Sequence, residues 1–215
     1  MLRSIPDGIE DSVPSDSGSG TGLRVLFDVG HPAQVHLFRH TIEELDRAGH
    51  ETFVTAREKE VTIDLLEAYG IDHLSLSERG DSTRALVREL LTREVRMFAV
   101  ARRFQPDVIV SRLAPVPAHV SAAVGCRYVA VNDTHIDRTV LRWVYQGLTL
   151  PFVDTICVPE SFDLPIADSK RRPLDFQELA YLHPRRFEPD PAVVASYDID
   201  PAEPYFILRV AGWDA

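Results

Sequence analysis

Asp28, His31 and His36 lie close together in a segment that also holds Gly30 and Pro32. A carboxylate beside an imidazole is the usual general-base pair, because the carboxylate orients the ring and stabilises its charged form. Further along, Ser111 with Arg112, then Asn132 with Asp133 and His135, and finally Glu160 each follow a short apolar run. His31 or His135 is thereby a candidate base for a sugar or lipid hydroxyl. Each of these residues has a structural alternative. A lone histidine at a strand end also serves as a hydrogen-bonded loop residue, and His36 suits packing or capping at a helix start. Asp133 suits capping of the turn that Asn132 and Thr134 favour. His50, His73 and His119 read as surface or packing residues.

These side chains share a location only if the runs before them are parallel strands. The run from Leu23 to Val29 is short, β-branched and almost wholly apolar, as expected of a strand buried on both faces. After the loop, Val35, Leu37, Phe38, Ile42 and Leu45 trace an amphipathic helix that ends at Gly49. The spacing predicts strands near residues 23–29, 51–56, 72–76, 107–111, 127–132 and 154–158, with helices near 35–48, 59–69, 82–104, 115–124 and 138–148. That alternation predicts the α/β class, a doubly wound, mostly parallel Rossmann-like sheet with right-handed crossovers. Ligands of such sheets bind outside the carboxyl ends of the strands. Asp28, Gly30, His31, Pro32, His36, Ser111, Asn132, Asp133 and Glu160 are therefore expected to converge on one rim. Gly30 permits a sharp turn, Pro32 fixes φ at the helix start, and free amides there favour an anion or a hydroxyl.

Several chemistries are excluded. The first loop lacks GxGxxG and places Pro32 where an amide should face a pyrophosphate, and no GxxxxGK occurs, so neither dinucleotide nor Walker-type binding is expected. His36 and His40 share a helix face without a third ligand, and no CxxC is present, so no metal and no other cofactor is expected. Cys126 and Cys157 read as small core residues. A net charge of −10 opposes general nucleic-acid binding. Lysine occurs only at Lys59 and Lys170 among many carboxylates, a composition that resembles proteins of salt-loving archaea. Residues 1–22 carry Asp7, Glu10, Asp11 and Asp16 among Ser and Gly and read as a disordered tail rather than a secretory signal. With no apolar run long enough to cross a bilayer, a cytoplasmic location is expected. The helix near 82–104 holds Arg84, Arg88, Arg93, Arg96, Arg102 and Arg103 against Glu89 and Glu94. Arg84, Arg88, Arg96 and Arg103 fit a solvated face opposite Leu86, Leu90, Met97 and Ala101. They also fit a peripheral contact with anionic lipid headgroups or a lipid phosphate.

Residues 23–160 read as one domain, and residues 161–204, punctuated by Pro165, Pro173, Pro184, Pro189, Pro191, Pro201 and Pro204, as a connector with short elements. The apolar run from Tyr205 reads as a strand that joins the sheet edge or opens a second domain. Four motifs then stand in order: Asp28-Val-Gly-His-Pro-Ala-Gln-Val-His36; Leu148-Thr-Leu-Pro-Phe-Val-Asp154 with Pro159-Glu160; Glu178-Leu-Ala-Tyr-Leu-His-Pro184 with Pro189-Asp-Pro191; and Ile207-Leu-Arg-Val-Ala-Gly-Trp-Asp214. On these motifs the chain resembles a family of archaeal and bacterial proteins known as domain of unknown function 354. That family is similar to glycosyltransferases of the GT-B architecture, with two facing Rossmann-like domains, and to sugar-nucleotide 2-epimerases.

The resemblance implies the N-terminal, acceptor-side domain of such an enzyme, with Gly30, His31 and Pro32 at an interdomain cleft. It implies His31 as base on an acceptor hydroxyl, Asn132 and Asp133 as positioning groups, and residues 205–215 as the first strand of an otherwise missing C-terminal domain. The implied partners are a nucleotide sugar, a glycan or lipid-linked acceptor, and the missing domain or a separate donor-binding subunit. The chain alone would then be inactive. Half of a 2-epimerase, a non-catalytic binding subunit and a relic of a broken gene are the alternatives. The chain departs from the family pattern at Asn132-Asp-Thr-His135, where the family places an acidic residue and then a histidine after Asn-Asp.

Overall fold

The computed structural model describes residues 13–14, 22–78, 83–134, 145–162, 164–200 and 202–208. Strands that are apolar on both faces need cover on both sides, and here helices supply it. β1 (Arg24–Val29) leads into α1 (Pro32–Arg47), β2 (Glu51–Glu58), α2 (Thr62–Ala68) and β3 (His73–Glu78). α3 (Thr83–Phe104) then returns to β4 (Val108–Arg112), followed by α4 (Pro115–Val124) and β5 (Arg127–Val131). A 3-10 turn (Leu150–Phe152) precedes β6 (Thr155–Val158). The sheet order is β3-β2-β1-β4-β5-β6-β7, with β7 (Arg171–Pro173) at one edge and every pair parallel. This is the doubly wound α/β fold expected. β7 was not foreseen, because Arg171-Arg172-Pro173 carries no apolar alternation. Pro173 lacks an N–H and is tolerated at a sheet edge.

The pleat decides which side chain meets which helix, since successive residues point to opposite faces. Val25, Phe27 and Val29 pack with Val35, Phe38 and Ile42 of α1 and Leu66 of α2. Leu26 faces the other way, with Met97, Val100 and Phe104 of α3 and Val116 and Val120 of α4. Asp28 shares that second face with Leu26. The order of strands reverses direction between β1 and β4, and the register there aligns Asp28 with Thr55 of β2 and with Ser111 of β4. The site-forming edge is therefore the carboxyl end of three neighbouring strands. α4 ends at Gly125, whose φ of +79° is the left-handed conformation a glycine adopts without strain.

Other expectations meet the structure unevenly. Residues 135–144, which include His135 and most of the fifth expected helix, lie outside the described residues, and so do Trp213 and Asp214. Val13 falls within the segment expected to be a disordered tail, yet it is buried and its carbonyl accepts from Arg103 Nε at 2.9 Å. Residues 204–208 form no strand, and Phe206 is 98% exposed. The chain divides into two compact units, Met1–Tyr181 and Leu182–Ala215, with the one-turn helix α5 (Leu179–Leu182) at the division. Within the second unit, Asp190 caps α6 (Pro191–Ala195) by accepting from the Ala192 amide at 2.9 Å.

Tyr128 of β5 is fully buried and ties the edge together, its hydroxyl bridging Ser111 Oγ at 2.9 Å, the Arg112 carbonyl at 3.0 Å and the Ala114 amide at 3.2 Å. Burial pushes its phenol well above the ordinary value. Tyr128→Phe leaves these groups short of a partner and is expected to lower stability by about 1–3 kcal/mol. Urea unfolding checks this, and an unchanged midpoint contradicts it.

Candidate functional site at the carboxyl edge of the sheet

The end of β1 is built around a buried ion pair. Arg93 Nη2 of α3 donates to both Asp28 oxygens at 2.8 Å, and Thr55 Oγ1 donates to Asp28 Oδ1 at 3.0 Å. The Asp28 side chain is 5% exposed and that of Arg93 12%. One level along α3, Glu89 receives Arg57 Nε and Nη2 at 2.5 and 2.6 Å and Ser77 Oγ at 3.1 Å. The expected pairing of Asp28 with a histidine is therefore corrected. Asp28 points toward α3, whereas His31 and His36 sit at the start of α1 on the opposite face. Arg93 was not singled out from the sequence, although the spacing 93, 97, 100, 104 places it on the buried stripe of α3.

The loop after β1 is closed by its own hydrogen bonds. His31 caps α1, its Nδ1 accepting from the Ala33 amide at 3.2 Å, and the Gln34 amide reaches the His31 carbonyl at 2.9 Å. Gln34 Oε1 accepts from the Gly30 amide at 2.7 Å. The amides of Gly30, Ala33 and Gln34, expected to be free for an anion, are thus taken by protein groups. Because a backbone N–H can only donate, His31 Nδ1 is unprotonated and the neutral ring carries its proton on Nε2. Partial burial and the neighbouring Lys59 and Arg112 cations hold His31 below its ordinary pKa, against an opposing effect of Glu60. His36 packs rather than caps. Its Nδ1 lies 3.2 Å from the Tyr69 hydroxyl, and its ring lies 5.4 Å from that of Tyr181. Burial, aided by Arg39, also lowers its pKa.

At the ends of β4 and β5, Arg112 Nη2 meets Asp133 Oδ1 at 2.5 Å and donates to Thr134 Oγ1 at 2.9 Å. Asn132 is buried, with Nδ2 donating to the Thr134 carbonyl at 2.9 Å, and Ser111 is buried against Tyr128. Ser111 and Asn132 therefore shape the edge, while Asp133 and Arg112 stay partly exposed. Glu160 does not join His31. It lines a separate depression of about 270 Å³ with Asp168, Arg171 and Arg172 beyond β6.

The described arginines of α3 do not form one cationic face, and the side chain of Arg84 lies outside the described residues. Arg93 is buried on Asp28, Arg96 donates to the Leu76 carbonyl at 2.6 Å and Arg103 to that of Val13. The outward face instead shows Val87, Leu91 and Val95, and Leu86 and Leu90, expected in the core, are each 43% exposed. A histidine–carboxylate pair does occur away from this edge. His119 of α4 contacts Glu94 Oε1 of α3 at 2.6 Å and the Leu148 carbonyl at 2.8 Å, which engages both ring nitrogens in holding helices together. Burial pushes the Cys126 thiol up to about 11 and raises that of Cys157, so neither is a ready nucleophile. Among the described residues no three metal-ligating side chains lie together, and no helix is long and apolar enough to cross a membrane.

Two outcomes follow from this geometry. Arg93→Ala strands the Asp28 carboxylate in the sheet and is expected to cost about 3–5 kcal/mol in chemical denaturation; a loss of under about 0.5 kcal/mol, usual for surface changes, contradicts the pair's role. For His31, the folded pKa lies below the unfolded value of 6.5, so the unfolded chain takes up the proton first and its stabilising contribution is lost as pH falls through that window. An NMR titration of the ring is expected to give a midpoint below 6.5, moved upward by Lys59→Gln. A midpoint at or above 6.5 contradicts this.

Residues 23–173 match the family described as protein of unknown function (DUF354). No curated protein matches the chain. Among solved structures, the spinosyn forosaminyltransferase SpnP is similar at 18% identity over 73% of this chain and 51% of that one, with a TM-score of 0.55. A glycosyltransferase from Rickettsia africae ESF-5 is similar at 14% identity over 83% and 50%, with a TM-score of 0.56. The UDP-GlcNAc 2-epimerase from Methanocaldococcus jannaschii is similar at 13% identity over 64% and 39%, with a TM-score of 0.51. The chain thus spans about half the length of these transferases and less of the epimerase. Such identities speak to fold. With most of its length matched and its sheet shared with glycosyltransferases and epimerases, the chain belongs to the DUF354 family and has a Rossmann-like, GT-B-type fold.

Proposed function

We propose that the chain is the acceptor-side half of a glycosyltransferase that uses a nucleotide-sugar donor, with the nucleotide held by a second Rossmann-like domain in the same polypeptide or in a separate subunit. The observation that carries this reading is the polar edge at the β1–β4 switch point. There His31, Lys59 and Arg112 gather at strand ends in a fold shared with transferases about twice the chain's length. In this account the chain alone does not transfer sugar.

The hydrogen bonding around His31 favours a particular role for it. With Nδ1 committed to the cap, the Nε2–H of the neutral ring is a hydrogen-bond donor to an acceptor oxygen or to a leaving phosphate oxygen. Service as a base would require the ring to exchange tautomer and give up the Ala33 amide. Asp133, oriented by Arg112, is the group for positioning the acceptor or the sugar. Asp28, Ser111 and Asn132 hold the edge in shape.

A second reading, half of a sugar-nucleotide 2-epimerase, is favoured by the likeness to the Methanocaldococcus jannaschii enzyme and needs no acceptor. Incubating the intact two-domain assembly with a UDP-sugar, with and without a glycan or lipid-linked acceptor, separates the two. Transfer predicts nucleoside diphosphate release only when acceptor is present, reduced roughly 100-fold by His31→Ala, as for loss of one well-placed donor. Sugar rearrangement without acceptor establishes the epimerase, and no turnover in either case overturns both.

A further inference from the structure

A cavity of about 440 Å³ opens where the chain leaves β5, β6 and β7, within the size range of small-molecule sites. Its walls are a mixture of two aromatic rings, Phe162 and Phe176, with the carboxylates of Asp133, Asp175 and Glu178 and the amide of Gln177. Phe176 is 80% exposed, a large apolar ring left at the mouth of a polar hollow. Asp133 is neutralised by Arg112, whereas Asp175 and Glu178 have no ion-pair partner among the described residues. Tyr181 lies near Glu178 and Asp133 of this cavity and contacts α1. Its pKa is raised by burial and then by Glu178 and Asp133, and its ring stacks near His36.

We propose that this cavity is the seat of the acceptor's sugar, and that it takes a neutral or amino-bearing saccharide rather than a phosphorylated one. The inference rests on the acceptor-side reading above and adds a substrate class to it. The chemistry of the lining selects the ligand. Carboxylates and a side-chain amide accept and donate to ring hydroxyls, while the electron-rich face of a phenyl ring attracts the polarised C–H groups of a pyranose. Two unpaired carboxylates in a concave site repel phosphate. A donor's diphosphate is thereby kept away from the β5–β7 end and left to the β1–β4 edge, where Lys59 and Arg112 lie near His31.

The test is an amide chemical-shift titration of the 215-residue chain with methyl glucoside, glucosamine and glucose 6-phosphate. The first two are expected to shift residues 174–178 and Asp133, and glucose 6-phosphate to bind at least about five-fold more weakly. Phe176→Ala and Asp175→Asn are each expected to weaken binding about five-fold or more. Both side chains are exposed, and an unchanged melting temperature verifies that the variants fold. No shift at this cavity with either of the first two sugars, equal binding of the phosphorylated sugar, or binding indifferent to both substitutions overturns the proposal. Because no donor is present, the outcomes separate. Sugar binding without transfer in the intact assembly removes the transferase reading alone, and transfer without binding here removes the cavity alone.

Discussion

The candidate site rests on a carboxylate buried at the end of the central strand. Asp28 is in the sheet's interior, where an unpaired charge is too costly to keep, and Arg93 supplies the compensating charge through two hydrogen bonds from one nitrogen. Thr55 completes the arrangement from the neighbouring strand. The pair locks α3 against the carboxyl end of β1, and the Arg57–Glu89 pair does the same at β2. Two charged contacts therefore set the height of a 22-residue helix beside the edge at which ligands of this fold bind. Leu86 lies beyond that level, about one turn before Glu89, and is exposed there.

With Asp28 committed to structure, the chemistry of the edge shifts to the groups around it. The β1–α1 loop itself satisfies the amides of Gly30, Ala33 and Gln34 through His31 and Gln34, and so presents side chains more than N–H groups. His31, Lys59 and Arg112 provide polarity near the switch point, while carboxylates and phenyl rings accumulate toward β7. The edge is thus graded in character, with basic groups held in ion pairs near its centre, Lys59 with Glu60 and Arg112 with Asp133, and carboxylates and phenyl rings at one end. Under the proposed transferase reading, such a gradient would place a charged leaving group and a polyhydroxylated acceptor side by side.

Much of the fold was legible in the sequence because it depends on local pattern. Six apolar runs of strand length separated by amphipathic stretches specify a doubly wound sheet, and all six fall within about two residues of the observed strands. β7 was hidden because a three-residue edge strand buries almost nothing and leaves no periodicity. The site was less legible for a different reason. Nearness in sequence suggested an Asp28–histidine pair, but strand alternation sends Asp28 toward α3 and away from the start of α1. Applied to Leu26 and Asp28 together with the inner stripe of α3, the same alternation identifies Arg93 as the partner. The cavity beyond β7 draws on residues 174–178, in a segment whose prolines read as a connector, and no spacing rule announces it.

The central claim is that this sheet works opposite a second, donor-binding Rossmann-like domain. Its most direct test is the composition of the native protein in its source cell, by immunoblot against residues 23–150 followed by intact mass and identification of co-purifying chains. The account predicts a product about twice this length, as two such domains require, or a stable partner carrying the second domain. A lone 24.1 kDa product that turns over nucleotide sugars unaided contradicts it.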